Sequence, residues 1–181
     1  MTENNTHWSK NIVLTGFMGA GKSTLAAALS EHCRLLFVDT DELIVQRFGM
    51  SVADIFTQLG EPVFRQAETE TLILLNSCRE QVIATGGGMV LKEENRTLMQ
   101  SIGPIVFLQA SEEQLKDRLG VDTGRPLADG ASWPELLARY QQRLPLYRQA
   151  DLIIQFEQQS LEQLVSEVVT GLEKIDPTWK F

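Results

Sequence analysis

Gly16-Phe17-Met18-Gly19-Ala20-Gly21-Lys22-Ser23 decides the fold. It fits the pattern G-x-x-x-x-G-K-[ST], follows a strand-like run, Ile12-Val13-Leu14, and opens a helical stretch from Lys22 to His32 that carries Leu25, Ala28 and Leu29. The spacing has a chemical reason. Glycines let backbone N–H groups curl around phosphate oxygens, the lysine reaches the β- and γ-phosphates, and the hydroxyl after it ligates Mg²⁺. The following helix aims its N-terminus at the same anion. Such a loop binds a nucleotide, yet it serves kinases, ATPases, GTPases and regulatory switches alike. No Asn-Lys-x-Asp run, the usual reader of guanine, occurs in the chain, which favours an adenine nucleotide.

Outward from this loop, four more short apolar runs follow: Leu35-Leu36-Phe37-Val38, Val82-Ile83-Ala84, Ile105-Val106-Phe107-Leu108 and Leu152-Ile153-Ile154. None alternates with polar residues, the pattern of parallel strands buried on both faces. Helical spacing is found between them. Pro62 to about Ser77 has Val63, Ala67, Leu72 and Leu75 near one face. Ser111 and Ser160 read as N-caps of helices running through Leu119 and Leu172, and a helix from about Ser132 to Tyr147 is expected to bend or end near Pro145. Strands alternating with helices predict an α/β fold whose crossovers lay helices on both faces of a parallel sheet. Gly120–Gly130 and the tail after Ile175 carry little secondary-structure signal, and the glycine and proline content of the first suits a functional loop.

The chain has 181 residues, enough for one domain with a core that needs no disulfide or metal. Sixteen basic against twenty-four acidic residues give a net charge of −8, which disfavours nucleic acid and anionic membranes as partners. Cys33 and Cys78 form no Cys-x-x-Cys pair and read as free thiols. A polar start and the lack of any membrane-length apolar run predict a cytoplasmic protein.

Three further places carry chemistry. The second strand runs into Asp39-Thr40-Asp41, beside the P-loop if strands one and two are parallel. One carboxylate there would organise Mg²⁺ through water and the other accept a hydrogen bond from a substrate hydroxyl. Asp39 or Thr40 would equally cap a helix through Arg47. The third strand runs into Thr85-Gly86-Gly87-Gly88, which lets a ligand approach the backbone closely. Arg65, Arg118, Arg125 and Arg143 stand in helical or loop settings suited to bidentate recognition of carboxylate or phosphate, and each taken singly is also an ordinary surface charge.

Taken in order, the P-loop, D-T-D at 39–41, F-R-x-x-E at 64–68, G-G-G at 86–88, R-P-L at 125–127 and R-x-P-L-Y-R at 143–148 resemble the shikimate kinases, a family within the nucleoside-monophosphate-kinase-like group of P-loop folds. The resemblance covers about residues 11–172. It implies a three-layer α/β fold with a five-stranded parallel sheet in the order 2-3-1-4-5. It also implies a single kinase domain over 1–181, with a disordered tail at 1–9, a substrate-binding region at about 40–70 and a lid at about 118–130. The implied reaction moves the γ-phosphoryl group of ATP to the 3-hydroxyl of shikimate, with Mg²⁺, in a monomer.

By the same resemblance Gly19, Ala20, Gly21, Lys22, Ser23 and Thr24 hold the nucleotide phosphates. Ser23 ligates Mg²⁺ directly and Asp39 does so through water. Asp41 bonds the ring hydroxyls, including the attacking one. Arg65 and Arg143 grip the shikimate carboxylate, and Gly86, Gly87 and Gly88 line its site. Arg125 reaches over the phosphates from the lid, and Arg118 packs on the adenine. Lys22, Asp41 and Arg125 are the implied catalytic residues. The chain departs from the family pattern at Ala128, where many relatives have leucine, and at Leu161, near the place of a proline that often faces the adenine. Two alternatives stay open: a kinase for another polyol acid such as gluconate, and a non-catalytic nucleotide-binding module. The implied site draws five basic residues into one cleft inside an otherwise acidic surface.

Overall fold

The computed structural model describes residues 11–119, 130–156 and 159–179; the expected tail at 1–9 and most of the expected lid, Arg125 and Ala128 included, lie outside them. Strands β1 (Ile12–Thr15), β2 (Leu36–Asp39), β3 (Gln81–Ala84), β4 (Ile105–Gln109) and β5 (Leu152–Gln155) form one sheet. Its order is β2-β3-β1-β4-β5 and every pair is parallel, as the resemblance implies.

β1, β3 and β4 are buried along almost their whole length, so their unbroken apolar sequence reflects cover on both faces. The two edge strands differ from the expectation of full burial: Leu36 in β2 is 63% exposed and Ile153 in β5 is 39% exposed. Each has a neighbouring strand on one side only. Periodicity reports the apolar run but not the position of the strand in the sheet.

α1 (Lys22–Cys33) leads from β1 toward β2, and α5 (Glu93–Ile102) leads from β3 toward β4. These connections cross the sheet in opposite senses, so right-handed crossovers place them on opposite faces. The reversal occurs at β1, and its carboxyl end opens the crevice where α/β sheets bind ligands. The P-loop grows directly out of that end.

α2 (Thr40–Phe48), α3 (Val52–Gln58) and α4 (Glu61–Leu75) follow β2 and enclose a small apolar cluster of their own. Ile44, Ile55, Phe64 and Ala67 form it, separate from the main core. Burial of this cluster fixes α2 and α4, which carry Asp41 and Arg65. α6 (Glu112–Arg118) and α8 (Leu161–Ile175) start at Ser111 and Ser160, each closing a full capping box with a glutamine.

α7 (Trp133–Tyr147) ends two residues after Pro145, as expected of a helix that ends near it. Pro145 stands in the last turn, so its missing N–H removes only one intrahelical bond. Tyr147, beyond it, is fully buried and stacks on Phe107 with ring centroids 5.0 Å apart, which offsets that loss. Among the described residues no helix is long and apolar enough to cross a membrane.

Candidate active site

The P-loop is held open by backbone geometry that few residues tolerate. Gly21, the N-cap of α1, has φ 95°, and a Cβ there would sit 2.9 Å from Nη1 of Arg118. Glycine is favoured at this point by the positive φ, and a side chain there would also have to push the Arg118 guanidinium aside. Arg118, at the end of α6, donates from Nη1 to the carbonyls of Ala20 (2.8 Å) and Gly19 (3.3 Å), and its guanidinium lies 4.6 Å from the Phe156 ring centroid. It therefore braces the phosphate loop and forms a wall of a cavity of about 590 Å³ that Gly19–Thr24, Phe156 and Leu161 also line. Leu161, a departure from the family pattern, thus faces that cavity.

Inside the loop, Lys22 Nζ donates to the Phe17 carbonyl at 3.0 Å. Burial pushes its pKa down to about 8, against the pull of Asp41 and Asp39. Ser23 Oγ donates to Asp39 Oδ2 at 2.7 Å. Oδ1 of the same carboxylate accepts from the N–H groups of Asp41 (3.0 Å) and Glu42 (3.4 Å), capping α2. Asp39 is thus the cap, and it also faces the serine of the P-loop.

The three residues of D-T-D divide their work. Asp39 turns to Ser23. Thr40, fully buried, does not cap the helix; its Oγ1 accepts from the Gly86 N–H at 3.0 Å, tying α2 to the glycine run after β3. Asp41 turns into a second, larger cleft of about 790 Å³. Its Oδ1 is buried without a hydrogen-bond partner, and a Cβ at Gly86 would lie 2.5 Å from it, so only glycine leaves the carboxylate room. Burial raises the pKa of Asp41, and Asp39 adds to the rise, while Lys22 and Arg65 oppose it.

Arg65 and Arg143 stand in the same cleft as Asp41 and Gly86–Gly88. Arg65 Nε and Nη2 both donate to Glu61 Oε1 at 3.0 Å, and Nη1 donates to the two oxygens of Glu68 at 3.0 and 2.9 Å. Glu68 is fully buried; burial lifts its pKa to about 7 although Arg65 pulls it down. Arg143 Nη1 donates to the Gly87 carbonyl at 3.2 Å, and Tyr147 Oη donates to the same oxygen at 2.5 Å. Two residues of α7 therefore grip the glycine run from one side while Thr40 holds it from the other. The run also rests on the P-loop, since a Cβ at Gly87 would lie 3.2 Å from the Met18 nitrogen.

The structure thus brings Lys22, Ser23, Asp39, Asp41, Arg65, Gly86, Gly87, Gly88, Arg118 and Arg143 to one end of the sheet; Arg125 lies outside the described residues. Phe156 belongs to the site without any local signal that marks it; Thr40 and Tyr147 stand inside D-T-D and R-x-P-L-Y-R, but the sequence does not show what they hold. Glu68 does carry a local signal: it is the last residue of F-R-x-x-E, three positions after Arg65 on a helix, the spacing of facing side chains. The arrangement offers a phosphate cradle with a buried ammonium. Beside it are a carboxylate with an unused oxygen and arginines for an anion.

Comparison with known proteins agrees with this chemistry. A sequence model of the family "Shikimate kinase" matches residues 18–173. A shikimate kinase of Geobacter sulfurreducens is 43% identical over 89% of this chain and 90% of its own length. The structure of an Acinetobacter baumannii shikimate kinase in complex with shikimate superposes with a TM-score of 0.82 at 33% identity, covering 93% of this chain and 94% of that one. A gluconokinase from Sinorhizobium meliloti, at 21% identity and a TM-score of 0.60 over 94% of this chain and 95% of its own, shares the fold alone. The family match over most of the chain, and the identity across nearly full lengths, mean that this chain belongs to the shikimate kinase family.

Proposed function

We propose that the chain transfers the γ-phosphoryl group of ATP to the 3-hydroxyl of shikimate, giving shikimate 3-phosphate and ADP, with ATP along the P-loop and shikimate in the cleft at Asp41. The observation that carries this reading is the buried, unpartnered Oδ1 of Asp41, facing a cleft that also holds Arg65 and Arg143. A buried acceptor without a donor is costly, and a substrate hydroxyl supplies one.

Transfer of a phosphoryl group depends on positioning and charge stabilisation. The P-loop N–H groups and the Lys22 ammonium take the phosphate charge. Asp41 aligns the attacking hydroxyl and takes its proton as the new O–P bond forms and the bond to the ADP oxygen breaks. Arg143 and Arg65 fix the far end of the acceptor through its carboxylate, which holds the hydroxyl in line. The Ser23 hydroxyl and the Asp39 carboxylate, 2.7 Å apart at the P-loop, are hard oxygen donors that would hold Mg²⁺, Ser23 directly and Asp39 through water. When bound, that ion supplies positive charge to the phosphates. Arg125 keeps the role over the phosphates that the resemblance gives it.

Release of ADP, measured by a coupled assay with shikimate, gluconate or no acceptor, tests the reading. Of the three, only shikimate is expected to support turnover. Equal or faster turnover with gluconate, or none with any acceptor, overturns it. Arg143→Ala is expected to raise the KM for shikimate by about 10- to 100-fold and leave the KM for ATP within twofold, since it removes charge-assisted bonds to the carboxylate. An unchanged KM for shikimate would show that the carboxylate is held elsewhere.

A further inference from the structure

The acceptor cleft has a third arginine. Arg139 lines it together with Arg65 and Arg143. Arg139 and Arg143 stand four residues apart on α7, so their side chains leave the same face of the helix about 5–6 Å apart at Cβ. A single carboxylate spans that distance between two guanidinium groups. Arg139 shares the cleft lining with Val52, Ala53 and Phe56 of α3 and takes no part in the nucleotide cavity.

The bonding of Arg65 gives this arrangement its meaning. A guanidinium has five N–H donors. Four of those of Arg65 are engaged, with Glu61 through Nε and Nη2 and with both oxygens of Glu68 through Nη1. Two carboxylates surround one cation, so little of its charge is left for a third. The cleft holds three acids, Asp41, Glu61 and Glu68, and three arginines. Without Arg139 the described lining of the cleft would offer an anionic acceptor Arg65, held between two carboxylates, and Arg143, whose Nη1 is already directed at the Gly87 carbonyl.

We infer that Arg139 is a further carboxylate-binding residue of the acceptor cleft, which pairs with Arg143 and adds to Arg65 in capturing the anionic end of the substrate. The inference deepens the proposed function and rests on it. Arg139 is exposed at the rim, where charge acts on capture of the ligand more than on the chemical step, and where salt screens it.

Steady-state kinetics of the full chain at low salt test this, with Arg139→Leu, Arg139→Gln and Arg139→Lys. The probes are shikimate and its analogue in which a hydroxymethyl group replaces the carboxylate. For the Leu and Gln variants the KM for shikimate is expected to rise about tenfold, while kcat and the KM for ATP stay within twofold. Arg139→Lys should recover most of the loss. With the uncharged analogue, wild type and variants should perform alike, and added salt should narrow the gap seen with shikimate. A KM for shikimate within twofold of wild type in both variants overturns the inference, as does an equal loss with the uncharged analogue, which would mark a packing role. Failure of the wild-type chain to turn over shikimate at all is a different result, and it sinks the proposed reaction instead.

Discussion

Asp41→Asn lowers kcat for shikimate by about 10³-fold and leaves the KM for ATP within about threefold, in the range that loss of a positioned general base costs. The substitution keeps the size of the side chain but removes the negative charge and one acceptor oxygen. Asp41 lies in the acceptor cleft, while the nucleotide cavity is lined by the P-loop, Arg118 and Phe156. The loss should therefore fall on the reaction of the hydroxyl and not on nucleotide binding. Stability should move the other way. Burial and Asp39 hold the folded pKa of Asp41 above its ordinary value, so the ionised form is disfavoured in the native state. A raised pKa means stability that is present at low pH and lost as pH rises through the folded value. The neutral Asn variant should thus melt at or above the wild-type temperature at pH 8. Near-normal kcat in this variant would remove Asp41 from the mechanism. A lower melting temperature at pH 8 would mean that its charge serves the fold.

How much of this site is legible in the amino-acid sequence depends on whether the information is local. The phosphate loop is readable because its strand, glycines, lysine, serine and helix are contiguous, and the caps at Ser111 and Ser160 are readable for the same reason. D-T-D is readable as chemistry, but the division of work among its three side chains is not. Thr40 bonds Gly86 across 46 positions, and nothing near it in sequence foretells that. Tyr147 and Phe156 work in the same way, through partners brought by the topology of the sheet. α3 has only seven residues, and α5 begins Glu-Glu-Asn-Arg-Thr with little apolar periodicity, so neither is evident from pattern alone. Burial at the sheet edges escapes too, because an apolar run reads the same in β1 and β5 while their neighbours differ.

The same limit applies to charge. Counting residues yields a net −8, and the family resemblance collects basic residues in one place. Neither shows that Glu61 and Glu68 surround Arg65. A carboxylate pair on a binding arginine fixes its plane but weakens its attraction for a further anion. That balance belongs to the folded site and is invisible in a count.

Lys22→Met is expected to lower kcat/KM for ATP by about 10³-fold and, with no nucleotide bound, to raise the stability of the protein near neutral pH. The two results have one cause. Burial moves the Lys22 ammonium from 10.5 down to about 8, even with Asp41 and Asp39 nearby. A base whose folded pKa is depressed stabilises the native state above its unfolded pKa, and that contribution is lost as pH falls through the folded value. Below pH 8 the native state therefore carries the full cost of a desolvated cation, and the methionine variant is relieved of it. The expected gain is about 1–3 kcal/mol at pH 7, after allowing for the lost bond to the Phe17 carbonyl, and it should fade between pH 8 and 10.5. ATP reverses the balance, because its phosphates restore the interactions that burial took from the ammonium. Binding to the wild-type chain above pH 8 should thus take up close to one proton, seen by calorimetry in two buffers of different ionisation enthalpy. The variant should take up none. A methionine variant that melts below wild type at pH 7, or that still takes up the proton on binding, would show that the charge strained in this loop is not that of Lys22.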